Sequence, residues 1–323
     1  MNTPIVTSRR ASILVLILWI IFFLSSITLV AAYYVRHTIS ITGRCLQGHA
    51  SLYIADAGTI IALEALAVDA RDYDSLDEPW CSDFLDGTLP RIHTYEDVEG
   101  RAGGVFKAVV RDEASKLPVN HVDRDTLARF FAQVTPAGFD AEGVADSVIA
   151  RRDQKAGGFD SIYDLAQASG MTAAAFFGED TNANGFLDPW EDDGDRNLPV
   201  DDADGTLDVG LKESITVWGA GSINMNTAPF EVIASLPGID AQAARAIIEA
   251  RNRTPFKRSD DVSLVPGLSQ AARQALGRWA AVSSDFFTVA VSARAAASTF
   301  ERHATAVIDR SASEPVFIRW RQD

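Results

Sequence analysis

A stretch of twelve residues near the middle of the chain carries oxygen-bearing side chains at a regular spacing. Positions 1, 3, 5, 9 and 12 of this stretch are Asp180, Asn182, Asn184, Asp188 and Glu191. Gly185 stands at position 6, where the chain must turn sharply, and Phe186 at position 7 offers its backbone carbonyl. Calcium takes about six to eight oxygen ligands, and this spacing wraps them around one point. We therefore expect a calcium loop at 180–191.

The charge of the chain is concentrated around this loop. The segment from Glu179 to Asp208 contains eleven acids and one base, Arg196, in a chain of 323 residues with a formal net charge of −15. Such a run is either a solvated loop or a region that cations order, and the ligand spacing with its turn glycine favours the cations. An acidic chain is a poor general partner for nucleic acid, whose phosphates bind lysine and arginine.

Motifs for catalysis are missing from the sequence. The five histidines are scattered, and we find no zinc-protease motif, phosphate-binding loop or nucleophile elbow. We therefore expect a protein that is not an enzyme and has no catalytic residue. The two cysteines, Cys45 and Cys81, form no CxxC pair. In an oxidising compartment they could form one disulfide, and otherwise they are two unpaired thiols.

The N-terminal region predicts a membrane anchor. An apolar run from Ile13 to about Tyr34 follows Arg9 and Arg10, and about 20 apolar residues span a bilayer as a helix. The basic flank stays in the cytoplasm, so the body of the protein lies on the other side of the membrane. A secretory signal peptide fits less well, because the helical spacing of apolar residues continues beyond the run. We expect one continuous helix over 12–68.

Around this anchor the sequence resembles a known family. The string from Arg9 to Ile20 resembles the leader junction of the type II secretion minor pseudopilin K family. The resemblance implies a leader at 1–11, which prepilin peptidase removes between Ala11 and Ser12 on the cytoplasmic side. Most pseudopilins carry a glutamate as the fifth mature residue, but the K family lacks it. The corresponding residue here is Leu16.

A second string, Ile223–Pro229, resembles the Asn-x-Asn-Thr-Ala segment of the same family. We expect Thr227 to cap the helix that follows, with Pro229 inside its first turn. This segment opens the second of two similar helical stretches, at 120–170 and 226–267, in which Asn120 corresponds to Asn226. The second stretch holds two Pro-Gly turns that are typical of helix-hairpin-helix units.

The predicted fold is α+β. A pseudopilin-like long helix is followed by an antiparallel sheet from 69–118 and 284–323, and an all-α insertion at 119–283 contains two helix-hairpin-helix or SAM-like units with the calcium loops at 179–208. The sheet strands are expected near 93–95, 105–110, 286–293, 301–309 and 316–320, from their alternation of apolar and polar residues. Short polar turns between the last three strands favour antiparallel pairing.

The resemblance also implies two calcium ions, so that the expected cofactor is Ca²⁺ at one or two sites. For the second ion the acidic run offers further oxygen ligands, and the five that we select are Asp192, Asp195, Asp202, Asp204 and Asp208. Asp202, Asp204 and Asp208 surround Gly205 and repeat part of the loop spacing. This choice rests on a partial pattern, because no acid occupies the twelfth position.

For function, the resemblance implies a minor pseudopilin that forms the tip of the type II secretion pseudopilus and assists the export of folded proteins across the outer membrane. The implied partners are minor pseudopilins I and J, inner-membrane lipid and prepilin peptidase, with the body of the protein in the periplasm. Two other classes stay open. One is a membrane-anchored helix-hairpin-helix protein that binds DNA, as in competence systems. The other is a calcium-dependent adhesion or scaffold protein.

Overall fold

The structure, a computed structural model, describes residues 8–86, 89–96, 102–135, 138–182, 184–192, 194, 203–296 and 298–322. Its helices are α1 Ser8–Val68, α2 Pro79–Ser82, α3 Arg124–Val134, α4 Ala141–Asp153, α5 Ala173–Phe177, α6 Leu211–Ser214, α7 Phe230–Ser235, α8 Ala241–Arg253, α9 Ser259–Val262 and α10 Gln270–Trp279. Its strands are β1 Leu85–Asp86, β2 Leu89–Pro90, β3 Ile92–Glu96, β4 Ala102–Asp112, β5 Leu117–Pro118, β6 Ile215–Thr216, β7 Ile223–Asn224, β8 Ala280–Ala281, β9 Phe286–Ala295, β10 Arg302–Asp309 and β11 Val316–Gln322. Short 3₁₀ helices occupy Glu113–Ser115 and Ile162–Gln167.

Helix α1 is 61 residues long, and its two halves have different surroundings. Most of the large apolar side chains from Ile13 to Tyr34 are exposed, and the mean hydropathy of an 18-residue window reaches 2.9. The helix is therefore long and apolar enough to cross a membrane. Farther along, Ala55, Ala62 and Leu66 are fully buried in a core that α1 shares with the sheet.

Gly58 allows α1 to approach the sheet closely. A Cβ atom at this position would lie 2.9 Å from Cδ2 of Phe106 and 2.9 Å from Cγ1 of Val291. Glycine inside a helix costs about 1 kcal/mol relative to alanine. The close contact with two strands is the physical reason why this helix carries a glycine in its buried half.

The main sheet has five strands in the order β11-β10-β9-β4-β3, and all neighbours are antiparallel. Phe106, Ala108 and Val110 of β4 are buried with Val289 and Val291 of β9 in the core below α1. The predicted α+β fold, a long N-terminal helix on an antiparallel sheet, is confirmed. Between β4 and β9 the chain forms a helical region with an apolar core of its own.

Equivalent side chains brace the two helical stretches of this region. The side chain of Asn120 bonds both backbone groups of Phe159, with Nδ2 donating at 3.0 Å and Oδ1 accepting at 2.8 Å. Asn226 holds Phe256 in the same way, at 2.9 Å and 2.8 Å. Each asparagine thus ties the start of its stretch to the loop after the second helix. The predicted correspondence of Asn120 with Asn226 has this structural basis.

An arginine on α4 and one on α8 repeat a second contact. Nη1 of Arg152 donates to the carbonyl of Val119 at 3.2 Å, and Nη1 of Arg251 donates to the carbonyl of Met225 at 2.9 Å. The two acceptors are the residues directly before Asn120 and Asn226. A shared pattern of side-chain to backbone bonds therefore supports a duplicated unit.

The N-cap predicted at Thr227 is wrong. Helix α7 begins at Phe230 with Pro229 as its N-cap, and the Thr227 hydroxyl donates to Oδ2 of Asp112 at 2.5 Å. Asp112 is buried and draws the hydroxyl away from the helix end, because a buried carboxylate needs hydrogen-bond donors. The preference of threonine for N-caps was overridden by a contact from a distant strand.

Both cysteines are free, so the disulfide considered for Cys45 and Cys81 is not formed. Cys45 is exposed on α1, whereas Cys81 in α2 is buried in the core between α1 and the sheet. Burial raises the pKa of the Cys81 thiol to about 11, with the nearby acids Asp77 and Asp112 adding to the effect. Cys81 therefore acts as a packing residue.

The predicted leader junction is only partly described. Residues 1–7 lie outside the described residues, and α1 begins at Ser8 and runs through Ala11 and Ser12. Cleavage between Ala11 and Ser12 stays a prediction.

Candidate metal centre

The predicted calcium loop lies between α5 and α6, against the face of the sheet that points away from α1. Its base is closed by the backbone amide of Glu179, which donates to the carbonyl of Asp208 at 2.9 Å. At its tip, a Cβ atom on Gly185 would lie 3.2 Å from Arg111 and 3.3 Å from Ala290 of the sheet. Gly185 has a φ of +79°, a left-handed conformation that the tight turn requires.

The first half of the loop folds around the carboxylate of Asp180, which is fully buried. Its Oδ1 accepts from the amide of Asn184 and its Oδ2 from the amide of Gly185, both at 3.0 Å. Oδ1 of Asn182 accepts from the same Asn184 amide at 3.0 Å, and Oδ1 of Asn184 accepts from the amide of Phe186 at 2.7 Å. These bonds hold the side-chain oxygens of positions 1, 3 and 5 on the inside of the turn.

The second half of the loop is tied to the first by two buried acids. Oδ2 of Asp188 accepts from Nδ2 of Asn182 at 2.7 Å and from Nδ2 of Asn184 at 2.8 Å. Oε1 of Glu191 accepts from the amide and the hydroxyl of Thr181, both at 2.9 Å. The structure therefore brings together the side chains predicted at positions 1, 3, 5, 9 and 12.

Charge decides whether a cation fits this loop. Lys212 lies 2.7 Å from Oδ2 of Asp180, and both side chains are almost completely buried. Among the described residues, Asp188 and Glu191 make no ion pair. Three buried carboxylates face one ammonium group, and the remaining charge of about −2 is costly to bury without a counter-charge. The oxygen donors and this charge fit a divalent hard cation such as calcium.

The residues predicted for a second ion are less well gathered. Oδ1 of Asp192 accepts from the amide of Gly205 at 3.1 Å, and Oδ1 of Asp204 accepts from the amide of Thr206 at 2.7 Å. Asp208 joins the base of the first loop, where its amide donates to Oε2 of Glu179 at 2.8 Å. Asp195 and Asp202 lie outside the described residues. A second calcium site stays a prediction.

A second group of acids, which sequence reasoning missed, lies where the sheet meets the helical region. Carboxylate oxygens of Asp69, Asp74 and Glu78 lie within 4.8 Å of one another. Arg310, at the end of β10, bonds Oδ2 of Asp69 at 2.9 Å and also bonds Oδ1 of Asp74. A guanidinium group therefore already supplies positive charge to this group of acids. Burial raises the pKa of Asp74 to about 7, against the opposing effect of Arg310.

The same place holds the buried carboxylate of Asp112. Its Oδ1 accepts from the amide of Ala114 at 2.7 Å, and its Oδ2 accepts from Asn224 at 2.9 Å and from Thr227. Burial raises the pKa of Asp112, while these donors and Ser284 lower it. We call the set Asp69, Asp74, Glu78, Asp112, Asn224, Thr227, Ser284 and Arg310 the domain junction. It joins α1, the sheet and the second helical stretch.

Residues 223–283 match the sequence model of the family described as "Type II secretion system (T2SS), protein K". The match covers Asn224 and Thr227 of the domain junction together with α7 to α10. This segment of the chain is therefore similar to the type II secretion system protein K family. Members of this protein K family are structural components of the secretion apparatus.

A solved structure shares the fold of this chain. It is described as "The Crystal Structure of the GspK-GspI-GspJ complex from enterotoxigenic Escherichia coli Type 2 Secretion System", and the matched chain has a TM-score of 0.56 at 13% identity. The alignment covers 87% of this chain and 99% of the other. A search of curated proteins gave no match.

The family match and the candidate metal centre involve different parts of the chain. The matched segment begins at Ile223, after the loop at 180–191. The domain junction was hidden from sequence reasoning because its members come from the loop after α1, from β4, from β7 and from the residues just before β9 and just after β10, which are far apart in sequence. The one signal was the Asn-x-Asn-Thr-Ala segment, whose first asparagine and threonine both bond Asp112.

Proposed function

We propose that this chain is a minor pseudopilin at the tip of the type II secretion pseudopilus, where it assists assembly of the fibre and export of folded proteins across the outer membrane. Its α1 would cross the inner membrane once and its body would lie in the periplasm. The family and the fold support this proposal, and one feature of α1 carries it further.

That feature is an apolar surface on the second half of α1. The helix extends about 90 Å, whereas about 30 Å spans the hydrocarbon core of a membrane. One side of the projecting part is buried against the sheet. The other side exposes Tyr53 by 75%, Ile60 by 53%, Ile61 by 44% and Val68 by 79%. These residues recur at helical spacing, so that they form one stripe that another apolar helix could cover.

The chain seated on this stripe would be the long helix of minor pseudopilin I or J. The Escherichia coli structure that shares this fold is a complex of three proteins, GspK, GspI and GspJ. A stripe of large apolar side chains along a long helix suits packing against a second long helix. Helix α1 carries Leu16 where most pseudopilins carry glutamate, which suits a subunit with no neighbour above it. The bulky helical region would then cap the fibre.

Calcium, in this proposal, stabilises the helical region and is not a messenger. Asp180, Asn182, Asn184, Asp188 and Glu191, with the carbonyl of Phe186, would hold the ion. When bound, it would supply positive charge to three buried carboxylates. The loop lies between the first and second helical stretches and touches the sheet through Gly185. Two of the ligands are amides, which favours weak binding in a calcium-rich compartment.

Co-purification of the full-length chain with its I and J proteins in detergent tests the proposal. We expect a ternary complex, and we expect Ile60→Arg to abolish it because a charge on the stripe cannot be covered by an apolar helix. Leu264→Arg is the matched control, because Leu264 is 74% exposed in the helical region and is not part of the stripe. Failure of the wild-type chain to bind I and J with calcium present would overturn the assignment.

A further inference from the structure

A histidine of the sheet reaches the calcium loop from far outside its twelve residues. His303 lies on β10, opposite Ser292 of β9 in the strand register. Its neighbour Ala304 is buried in the core below α1, so that His303 lies on the other face of the sheet, where the loop is seated. Nε2 of His303 lies 3.4 Å from Nδ2 of Asn184, which occupies the fifth position of the loop. The contact joins residues 119 positions apart.

The side chain of Asn184 needs this contact because it is buried. Asn184 is 4% exposed, and the amide nitrogen of asparagine has two N–H donors that each require an acceptor away from water. One of them is given to Oδ2 of Asp188 at 2.8 Å. The imidazole of His303 is the acceptor for the other. Asn182, the other amide of the loop, is partly exposed and can give its second N–H to water.

The histidine ring is directed at the loop alone among the described residues. If Nε2 accepts from Asn184, the proton of the neutral ring lies on Nδ1. Nδ1 of His303 is buried and has no hydrogen-bond partner in the described part of the chain. The ring centroid also lies 6.0 Å from that of Phe186, the seventh residue of the loop. The polar and the aromatic contact of this ring therefore both involve the calcium loop.

We propose that His303 is a positioning residue of the calcium loop, which accepts the second N–H of Asn184 and so turns the amide oxygen of Asn184 towards the ion. The inference rests on calcium binding by the loop, as in the proposed function. The opposite orientation of the amide would place N–H donors where a hard cation needs oxygen. Asp188 alone cannot fix the amide, because its oxygens are proposed ligands that the ion would share. Partners behind the ligands orient them in this way in many metal sites.

The contact also ties the loop to a second strand pair of the sheet. Nη2 of Arg321 on β11 donates to the carbonyl of Asn182 at 3.3 Å, and His303 on β10 contacts Asn184. The third and fifth positions of the loop are therefore both held by sheet residues, next to the contact at Gly185. A change on this face of the sheet should be measurable as a change in calcium affinity.

Calorimetric titration of the full-length chain in detergent with calcium tests the proposal. We expect His303→Leu to bind calcium at least roughly tenfold more weakly, the usual effect of removing a partner behind a metal ligand. His303→Gln should bind within about threefold of the wild type, because the oxygen of glutamine can accept in place of Nε2. His49→Leu is the matched control, since it makes the same change at an exposed histidine of α1. It should leave the affinity unchanged.

Terbium luminescence separates positioning from packing. Terbium takes oxygen ligands as calcium does, and its decay rates in H₂O and D₂O count the water molecules that it binds. In His303→Leu about one more water should bind the ion, in place of the oxygen of Asn184. His303→Gln should show no such gain. Glu191→Gln identifies the part of the signal that comes from the loop.

Melting in chelator shows whether each variant is folded. If His303→Leu does not fold, His303→Phe, which keeps a ring beside Phe186, takes its place with the same expectation. Equal calcium affinity of the wild type and this variant would overturn the inference and leave the calcium loop in place. Weaker binding with no added water and no rescue by His303→Gln would also overturn it, because His303 would then only pack against the loop. A wild-type chain that binds neither calcium nor terbium would remove the metal centre itself, and the positioning role with it.

Discussion

The domain junction and the charged group beside the calcium loop, here called the loop wall, both hold carboxylates away from water, but with different numbers of cations. The loop wall consists of Glu213 with Arg111, Lys116 and Lys212. At the junction, Arg310 is shared between Asp69 and Asp74. At the loop wall, Arg111, Lys116 and Lys212 all act on Glu213. The two regions therefore differ in how much positive charge surrounds an acid that is removed from water.

The difference appears in the pKa values. Burial raises the pKa of Asp74 to about 7, since one guanidinium group does not offset the loss of water. Burial acts on Glu213 in the same direction, but the three cations overcome it and lower its pKa to about 2. A group of acids is therefore not in itself a cation site. The junction carries its own arginine, whereas Asp188 and Glu191 of the loop have no ion pair among the described residues.

The largest effect is expected at the junction, where Arg310→Met removes a buried cation. Arg310 is 2% exposed, and its guanidinium lies 4.7 Å from the ring centroid of Phe287. Breaking a buried pair costs about 3–5 kcal/mol, so the melting temperature should fall by on the order of 10 °C. Arg253→Met, at an exposed arginine, is the control. A fall no larger than in this control would mean that Arg310 does not hold the junction together.

The next effect concerns the loop. Calcium at about a hundred times its Kd should stabilise the wild-type chain by about 2.7 kcal/mol over chelator, and Glu191→Gln should lose most of this increment. Glu191 is fully buried at the twelfth position, where its second oxygen and charge matter most. Asp153→Asn, at an exposed acid, should keep the increment. A wild-type chain whose melting is unchanged by calcium would remove the basis for a metal centre.

A third variant, Lys212→Met, tests whether Lys212 and a bound calcium ion compete to neutralise the carboxylate of Asp180. In chelator its melting temperature should fall, because Asp180 loses the ammonium group that lies 2.7 Å away. Calorimetric titration should show calcium binding several-fold tighter than in the wild type, since a nearby positive charge has gone. Unchanged affinity would show that Lys212 is only a structural partner of Asp180.

Much of the fold could be predicted because its signals are local. The long apolar run of α1 and the alternation in β4, β9, β10 and β11 each follow from a few neighbouring residues. The calcium loop was predicted for the same reason, since its ligands lie within twelve residues. The structure gathers Asp180, Asn182, Asn184, Asp188 and Glu191 as that spacing indicates. Whether they bind calcium stays a prediction.

The rest depends on contacts between distant residues. Lys212 meets Asp180 across 32 residues, and Arg310 meets Asp74 across 236. No periodicity predicts such pairs. The same cause explains the failure at Thr227, where a local capping preference was outweighed by Asp112, which lies 115 residues away.

The pH dependence of stability is expected to have opposite signs in the two regions. Asp74 has a folded pKa of about 7, above its unfolded value of 3.8, so the unfolded state loses the proton first as pH rises. Its contribution to stability therefore decreases between about pH 4 and 7. Glu213 has a folded pKa of about 2, below its unfolded value of 4.5. Its contribution is present above pH 4.5 and is lost as pH falls towards 2. Each slope is at most about 1.4 kcal/mol per pH unit.

Melting temperatures in chelator, taken across these two pH ranges, separate the regions. Asp74→Asn should flatten the decrease in melting temperature between pH 4 and 7. It should leave the loss of stability below pH 4.5 unchanged. Glu213→Gln should reduce the loss of melting temperature below pH 4.5 and leave the decrease between pH 4.5 and 7 unchanged. If Asp74→Asn instead made the chain less stable by the same amount at every pH, Asp74 would be ionised throughout. Arg310 would then outweigh burial, and the junction would resemble the loop wall in having enough positive charge for its acids.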